Sequence, residues 1–200
     1  MNVVIIDYGS ANYASLINFF NNFEKLKLKV SSNKRDISNS DLLVLPGVGA
    51  FDNAIRILKK KKIDKIIKNE AFKGKPIIGI CLGMQILFES SKETKNDLKG
   101  LCILDGKTDK LNQTNVGWKN LISKNKIFKQ FNKKYFYFNH SFLQICNKKY
   151  ILCHIKINKK NIPAIIQKGN IFGFQFHPEN SQTNGIEIMD FILKRIENNV

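Results

Sequence analysis

Ile77-Ile78-Gly79-Ile80 is apolar without a break and passes directly into Cys81-Leu82-Gly83-Met84-Gln85-Ile86-Leu87-Phe88, where the pattern turns helical. A short, continuous apolar run reads as a strand buried on both faces, as in a parallel sheet covered by helices. Gly79 and Gly83 flank the cysteine at the spacing of a nucleophile elbow, G-x-nucleophile-x-G, with Cys in place of Ser. The glycines permit a sharp turn, so that side chain 81 projects at the C-terminal edge of the sheet. The N-terminus of the helix expected to begin just after Cys81 and continue through Phe88 favours the thiolate that attacks carbonyls. The backbone N–H of Leu82 is placed to stabilise the oxyanion of a tetrahedral intermediate. A buried structural cysteine behind a buried strand fits the same five residues.

The alternation of strand and helix extends on both sides of the elbow. Val3–Ile6 reads as a strand and about Ser15 to Leu26 as a helix. Leu42–Leu45 is a strand ending at Pro46-Gly47, and a long helix follows over about Asp52 to Asn69. Later, Tyr135–Phe138, Tyr150–Ile157, Ala164–Gln167 and Ile171–Phe176 read as strands. Asn161-Ile162-Pro163 and Lys168-Gly169-Asn170 read as turns between them. Ile186, Met189, Ile192, Leu193 and Ile196 give the last helix, about Gly185 to Glu197. The expected fold is α/β: residues 1–200 as a single domain, a mostly parallel open sheet with helices on both faces and added antiparallel strands in the C-terminal half.

A chain of 200 residues with 43% hydrophobic and 24% charged residues is of the globular class. No apolar run approaches the ~18 residues of a membrane span, and Met1-Asn2-Val3-Val4-Ile5-Ile6-Asp7 lacks a signal-peptide pattern. A cytoplasmic location is expected. Cys81, Cys102, Cys146 and Cys153 form no C-x-x-C pair, so free thiols are expected. The formal net charge is +17. It raises nucleic-acid binding, but no helix-turn-helix, RNA-binding aromatic motif or zinc-finger spacing accompanies it. The run Lys59-Lys60-Lys61-Lys62 reads as the wet side of the long helix. No nucleic-acid partner and no membrane are expected, and the charge is left to steering of anionic substrates or an acidic partner.

A cysteine nucleophile needs a base, and the sequence holds three histidines. His177 closes the apolar strand Gly173-Phe174-Gln175-Phe176, ahead of Pro178 and Glu179. Glu179 is placed to accept a hydrogen bond from the imidazole and fix its tautomer. His140 is a second candidate, but no carboxylate follows it closely, which suits a structural or substrate-contact role better. His154, beside Cys153, lacks a full ligand set, so no metal site is expected. Leu45-Pro46-Gly47-Val48-Gly49 ends a strand with two glycines, which suits either a tight turn or a backbone N–H that approaches a ligand.

Together these stretches resemble the class I glutamine amidotransferases, a flavodoxin-like fold, and within them the glutaminase subunits of imidazole glycerol phosphate synthase. The resemblance runs through Asp7-Tyr8-Gly9 with Asn12, Pro46-Gly47-Val48-Gly49-Ala50-Phe51, the elbow, Gly117-Trp118, Tyr137-Phe138-Asn139-His140-Ser141 and Gln175-Phe176-His177-Pro178-Glu179. It implies Cys81 as nucleophile, His177 as general base and acid, and Glu179 as its orienter. It implies an oxyanion hole from the N–H groups of Leu82 and Val48, the latter after the glycine-rich strand rearranges. Gly47, Gln85 and Glu93 would hold glutamine, and Asn12 and Tyr137 would lie near the partner. It further implies glutamine as substrate, no cofactor, and a heterodimer with a (β/α)-barrel cyclase of the HisF type. That cyclase would receive ammonia and make imidazole glycerol phosphate and the carboxamide ribotide AICAR, in histidine biosynthesis. Related glutaminases serve amidotransferases of surface-polysaccharide sugars, and a catalytically silent scaffold is a third reading. Ala11, Asn139 and Asn180 depart from the family pattern, where Gly, Val and Lys are usual. Asn180 bears on the partner, since the lysine pairs with an acidic residue of the cyclase.

Overall fold

The computed structural model describes residues 1–9, 11–94 and 98–198. The chain begins with β1 (Asn2–Ile6), α1 (Tyr13–Phe20), β2 (Lys27–Ser31), α2 (Lys34–Asn39) and β3 (Leu42–Leu45). There follow α3 (Phe51–Lys60), α4 (Asp64–Phe72), β4 (Ile77–Ile80), α5 (Leu82–Gln85) and β5 (Ser90–Ser91). Then come β6 (Lys107–Asn120), β7 (Tyr135–Ile145), β8 (Ile151–Ile157), β9 (Lys160–Lys168), β10 (Ile171–Phe174) and α6 (Gln182–Glu197). The main sheet has the order β2-β1-β3-β4-β10-β9-β8. Its strands are parallel from β2 to β10, and β9 and β8 add antiparallel pairs.

Every residue of β3, β4 and β10 is buried, because helices cover both faces. The period of two sorts their side chains. Val3, Ile5, Val44, Ile78, Ile80, Phe172 and Phe174 pack with Phe19 and Phe20 of α1 and Ile188 and Ile192 of α6. Val4, Ile6, Leu43, Leu45, Ile77 and Ile171 face the other way, toward Ala54, Ile55 and Leu58 of α3 and Ile67 of α4. Phe174 is in register with Ile80. The elbow after β4 and the segment after β10 therefore leave the same edge of the sheet side by side.

Four expectations are corrected. The helix placed over Ser15 to Leu26 stops at Phe20; the Asn22 side chain donates to the Asn18 and Phe19 carbonyls and competes with the helix ladder. β2 and α2 fill the space that follows; β2 is an edge strand with exposed Lys27 and Lys29, which hides its apolar period. The helix placed over Asp52 to Asn69 is two helices, broken where Lys62 adopts φ +56°. The lysine run is thus not a helix face. Lys59 and Lys60 lie at the C-terminus of α3, which favours cations, and Lys61 donates to the Asp7 carbonyl at 2.9 Å. Asn161-Ile162-Pro163 lies inside β9; the turn is Asn158-Lys159, with φ 46° and 65° as a tight hairpin requires. Pro163 is accommodated beside a register shift at Cys153/His154.

A second sheet, in the order β5-β6-β7, stands apart from the first. Of its strands only the start of β7 was expected. β6 is mostly polar, with few buried positions, so neither apolar alternation nor an apolar run marks it.

Candidate active site

The elbow is built by close packing. Cys81 adopts φ 52° and ψ −107°, between β4 and α5. A Cβ on Gly79 would stand 2.8 Å from the Gly83 carbonyl, and one on Gly83 1.8 Å from the Leu45 oxygen, so neither position admits a side chain. The Cys81 N–H donates to the Phe174 carbonyl at 2.7 Å, which ties the elbow to β10. α5 is only four residues long, not a helix running on to Phe88. The helix-dipole assistance expected for the thiolate is correspondingly small.

His177 follows β10 and is buried to 4% exposure. Its N–H donates to the Tyr137 carbonyl at 2.9 Å. Ser181 Oγ donates to the His177 carbonyl at 2.6 Å and accepts from the Tyr137 N–H at 3.0 Å. The ring is oriented by Glu179, whose Oε1 lies 2.8 Å from Nδ1. Burial works against the imidazolium, but hydrogen bonds and charge from Cys81 and Glu179 outweigh it and push His177 up to about 10.

A cleft of about 300 Å³ gathers Cys81, Leu82, Gln85, His177, Val48, Gly49 and Glu93 on one side and Asn139–Phe142 of β7 on the other. Gly47 sits just behind it; a Cβ there would meet Leu82 Cβ at 2.7 Å, the Tyr8 hydroxyl at 2.9 Å and the Gly83 nitrogen at 3.1 Å. Tyr8, fully buried, donates its hydroxyl to the Pro46 carbonyl. Glu93 Oε2 accepts from the Phe51 N–H at 3.1 Å, and burial, reinforced by Asp52, raises its pKa. Asn12 and Tyr137 are not part of the cleft lining. Asn12 caps α1, accepting from the Ser15 N–H at 3.2 Å. Tyr137 is half-buried and meets the exposed Trp118 edge-on, with ring centroids 6.0 Å apart.

His140 lines the cleft with both ring nitrogens occupied. Nδ1 donates to the Phe142 carbonyl at 2.6 Å and Nε2 accepts from the Asn115 amide at 2.8 Å. Burial, aided by the charge of His177, lowers it to about 4. Cys153 is pushed up by burial to about 12 and is inert. Among the described residues no cluster of three His, Cys, Asp or Glu side chains is arranged to hold a metal ion. No helix among them is long and apolar enough to cross a membrane.

Sequence reasoning assigned no role to Gln175, whose side chain reaches the Cys81 sulfur, or to Asn115 behind His140. Gln175 stands inside the quoted motif, two residues before His177, and its place in a strand leading to the site was the available signal.

Residues 4–194 match the family model described as Glutamine amidotransferase class-I. The chain belongs to the class I glutamine amidotransferases. It is 38% identical over 195 residues to the imidazole glycerol phosphate synthase subunit HisH of Listeria monocytogenes, covering 94% of this chain and 92% of that protein. It is 41% identical over 197 residues to the subunit named HisH 2 of Vibrio vulnificus, covering 94% and 91%. A solved glutamine amidotransferase superposes with a TM-score of 0.78 over 97% of this chain and 98% of the other, at 14% identity, which bears on the fold alone. The amidotransferase fold is this single α/β domain with its mostly parallel sheet.

Proposed function

We propose that this chain, as one domain over residues 1–200, is the glutaminase subunit of an imidazole glycerol phosphate synthase. It would act in the cytoplasm, and its ammonia would pass to a barrel cyclase of the HisF type that forms imidazole glycerol phosphate and AICAR. The observation that carries the chemistry is the convergence in one cleft of Cys81, on a positive-φ elbow, with buried His177, whose ring is paired with Glu179. The similarity to the Listeria and Vibrio subunits supports the pathway.

The Cys81 thiolate attacks the side-chain amide carbon of glutamine. A C–S bond forms and the carbonyl π electrons move to oxygen, where the N–H groups of Leu82 and Val48 receive the charge. The His177 imidazolium gives its proton to the amide nitrogen, the C–N bond breaks, and ammonia leaves. Water then adds to the thioester as His177 takes its proton, and the C–S bond breaks to release glutamate and restore the thiolate. Glu179 holds the ring and balances the imidazolium. Gln85 and Glu93 hold the substrate, Glu93 suiting its α-ammonium group, while Gly47 lets the loop approach. Asn12 and Tyr137 lie toward the cyclase. The cycle consumes glutamine and water and needs no cofactor.

Cys81→Ala tests the reading. Glutamine hydrolysis should fall by about 10³-fold or more, while the cyclase supplied with free ammonia still turns over. Retained hydrolysis in this variant would overturn the mechanism, and failure of the wild-type chain to co-purify with a barrel cyclase would overturn the pathway.

A further inference from the structure

The Cys81 sulfur touches a group that the scheme above does not use. Gln175, fully buried, points its side-chain Nε2 at Cys81 Sγ across 3.7 Å. Its Oε1 accepts from Nε2 of Gln144, also buried, at 2.9 Å. That second bond orders the first. In this orientation the Gln175 nitrogen faces the sulfur and its oxygen is satisfied by Gln144; turning the Gln175 amide alone would aim its oxygen at the sulfur and set two amide donors against each other.

The opposite contact has the opposite sense. The Asn139 carbonyl lies 3.8 Å from Sγ, where it accepts from the thiol and repels the thiolate. The Gln175 amide is therefore the donor matched to the charged sulfur. The rest of the line is not what core stability alone would select. Gln144 Oε1 and the hydroxyl of Thr108, directly opposite it on β6, are buried with no protein partner among the described residues. Apolar side chains would leave no such atoms, and local departures of this kind are expected where function dictates the residue.

We propose that Gln175, locked by Gln144, is a further residue of the glutaminase machinery whose amide holds and stabilises the Cys81 thiolate. The proposal rests on the role assigned to Cys81 above. Gln175 contacts the reacting atom; Gln144 acts through it and is a positioning residue. Neither exchanges a proton or forms a bond. Their effect is electrostatic and raises the fraction of sulfur present as thiolate, so it is read directly from the pH dependence of Cys81 alkylation. The titratable groups around the sulfur are His177 with Glu179 behind it, His140 on β7, Glu93 after β5 and Tyr8 after β1, and all are kept in the variants.

The experiment follows iodoacetamide labelling of the Cys81 peptide by mass spectrometry in the full chain across pH. Gln175→Met keeps the length of the side chain and removes the donor. Its half-maximal pH should rise by about one unit, with labelling up to about tenfold slower at pH values below the parent's midpoint. Gln144→Leu, which removes nothing that touches the sulfur, should shift the midpoint the same way by less. Glutaminase kcat should fall in both with KM little changed. Circular dichroism and urea unfolding establish that each variant folds. An unchanged midpoint in folded Gln175→Met overturns the proposal; if that variant does not fold, an unchanged midpoint in Gln144→Leu does so. Should Cys81→Ala retain hydrolysis, the proposed function fails whatever the labelling shows. Should it lose hydrolysis while both midpoints stay put, the triad stands and the role of Gln175 does not.

Discussion

Glu179→Gln removes the charge facing His177 and keeps the shape. The His177 Nδ1 and Glu179 Oε1 atoms are 2.8 Å apart and their side chains are 6% and 9% exposed, so water screens the pair little. A charge-assisted hydrogen bond in such a place contributes about 1.5–3 kcal/mol, equivalent to about one to two pH units on the imidazole. From about 10, where burial is outweighed by Cys81 and Glu179, the variant's His177 should lose its proton about one to two units lower. Because folded His177 binds its proton more tightly than the unfolded chain does, it contributes stability that is complete below pH 6.5 and lost as the pH rises through about 10. In the variant that loss should begin at lower pH. With three histidines in the chain, an imidazole NMR titration follows His177 directly, and urea unfolding across the same range gives the stability change. Glutaminase kcat should fall by about 10²-fold, less than for Cys81→Ala, since an orienting group is partly replaceable. A variant with wild-type titration and wild-type kcat would refute the reasoning. So would His140→Ala proving far more damaging than His177→Ala.

Gly83→Ala should lose more than about 3 kcal/mol of stability or fail to fold, because its Cβ would meet the Leu45 carbonyl oxygen at 1.8 Å and backbone does not move aside; a urea melt matching the parent would contradict this. Lys75→Met leaves Glu70, 4% exposed, with Lys73 as its remaining ion-pair partner, and should destabilise by about 2–4 kcal/mol at neutral pH. Burial raises the Glu70 pKa, but Lys75 and Lys73 outweigh it and lower it overall. Its contribution is therefore present above the unfolded carboxylate range and lost as the pH falls, so the variant's deficit should shrink in acid; a deficit constant down to low pH would count against the pair. Hydrolysis by the isolated subunit should be low and rise about 10²–10³-fold with the cyclase and its ligand bound, as one gated oxyanion donor at Val48 would give. Val48 is 49% exposed and a Cβ on Gly49, at φ +109°, would meet nothing within 4 Å, so no packing opposes a turn at these two residues. Equal rates for subunit, complex and liganded complex would exclude gating while leaving Cys81, His177 and Glu179 in place.

The parallel half of the fold was legible because its strands are buried on both faces. Leu42–Leu45 and Ile77–Ile80 have the same bounds in sequence and structure. The misread parts share a physical cause: their signals are side chain to backbone or strand to strand. Asn22 ends α1 through carbonyls of the preceding turn. Lys62 breaks the long helix by a positive φ that no lysine announces. β6 is polar because most of its residues stay unburied where it pairs with β7 in the small sheet. The elbow and the His177–Glu179 spacing could be read locally. Of the opposite wall of the cleft, Asn139–Phe142, the sequence marked His140 as a structural or substrate-contact residue, but its place depends on where β7 is carried by a partner strand with no apolar pattern.

That wall explains why two histidines in one cleft are not interchangeable. His140 and His177 start from the same unperturbed imidazole. His140 spends both ring nitrogens on neutral partners, a carbonyl and an amide, and burial holds it near 4. His177 turns Nδ1 to a carboxylate and also interacts with the Cys81 sulfur, so the same burial is overcome and the proton is held to about 10. The charge of His177 in turn disfavours protonation of His140. In the proposed mechanism one ring is a neutral part of the wall and the other the proton carrier, a separation that suits acid–base chemistry on a single substrate. A spacing argument weighs the two by nearby carboxylates alone. The structure adds that Asn115, twenty-five residues before His140 and directly across from it on β6, removes the competitor by occupying its remaining lone pair.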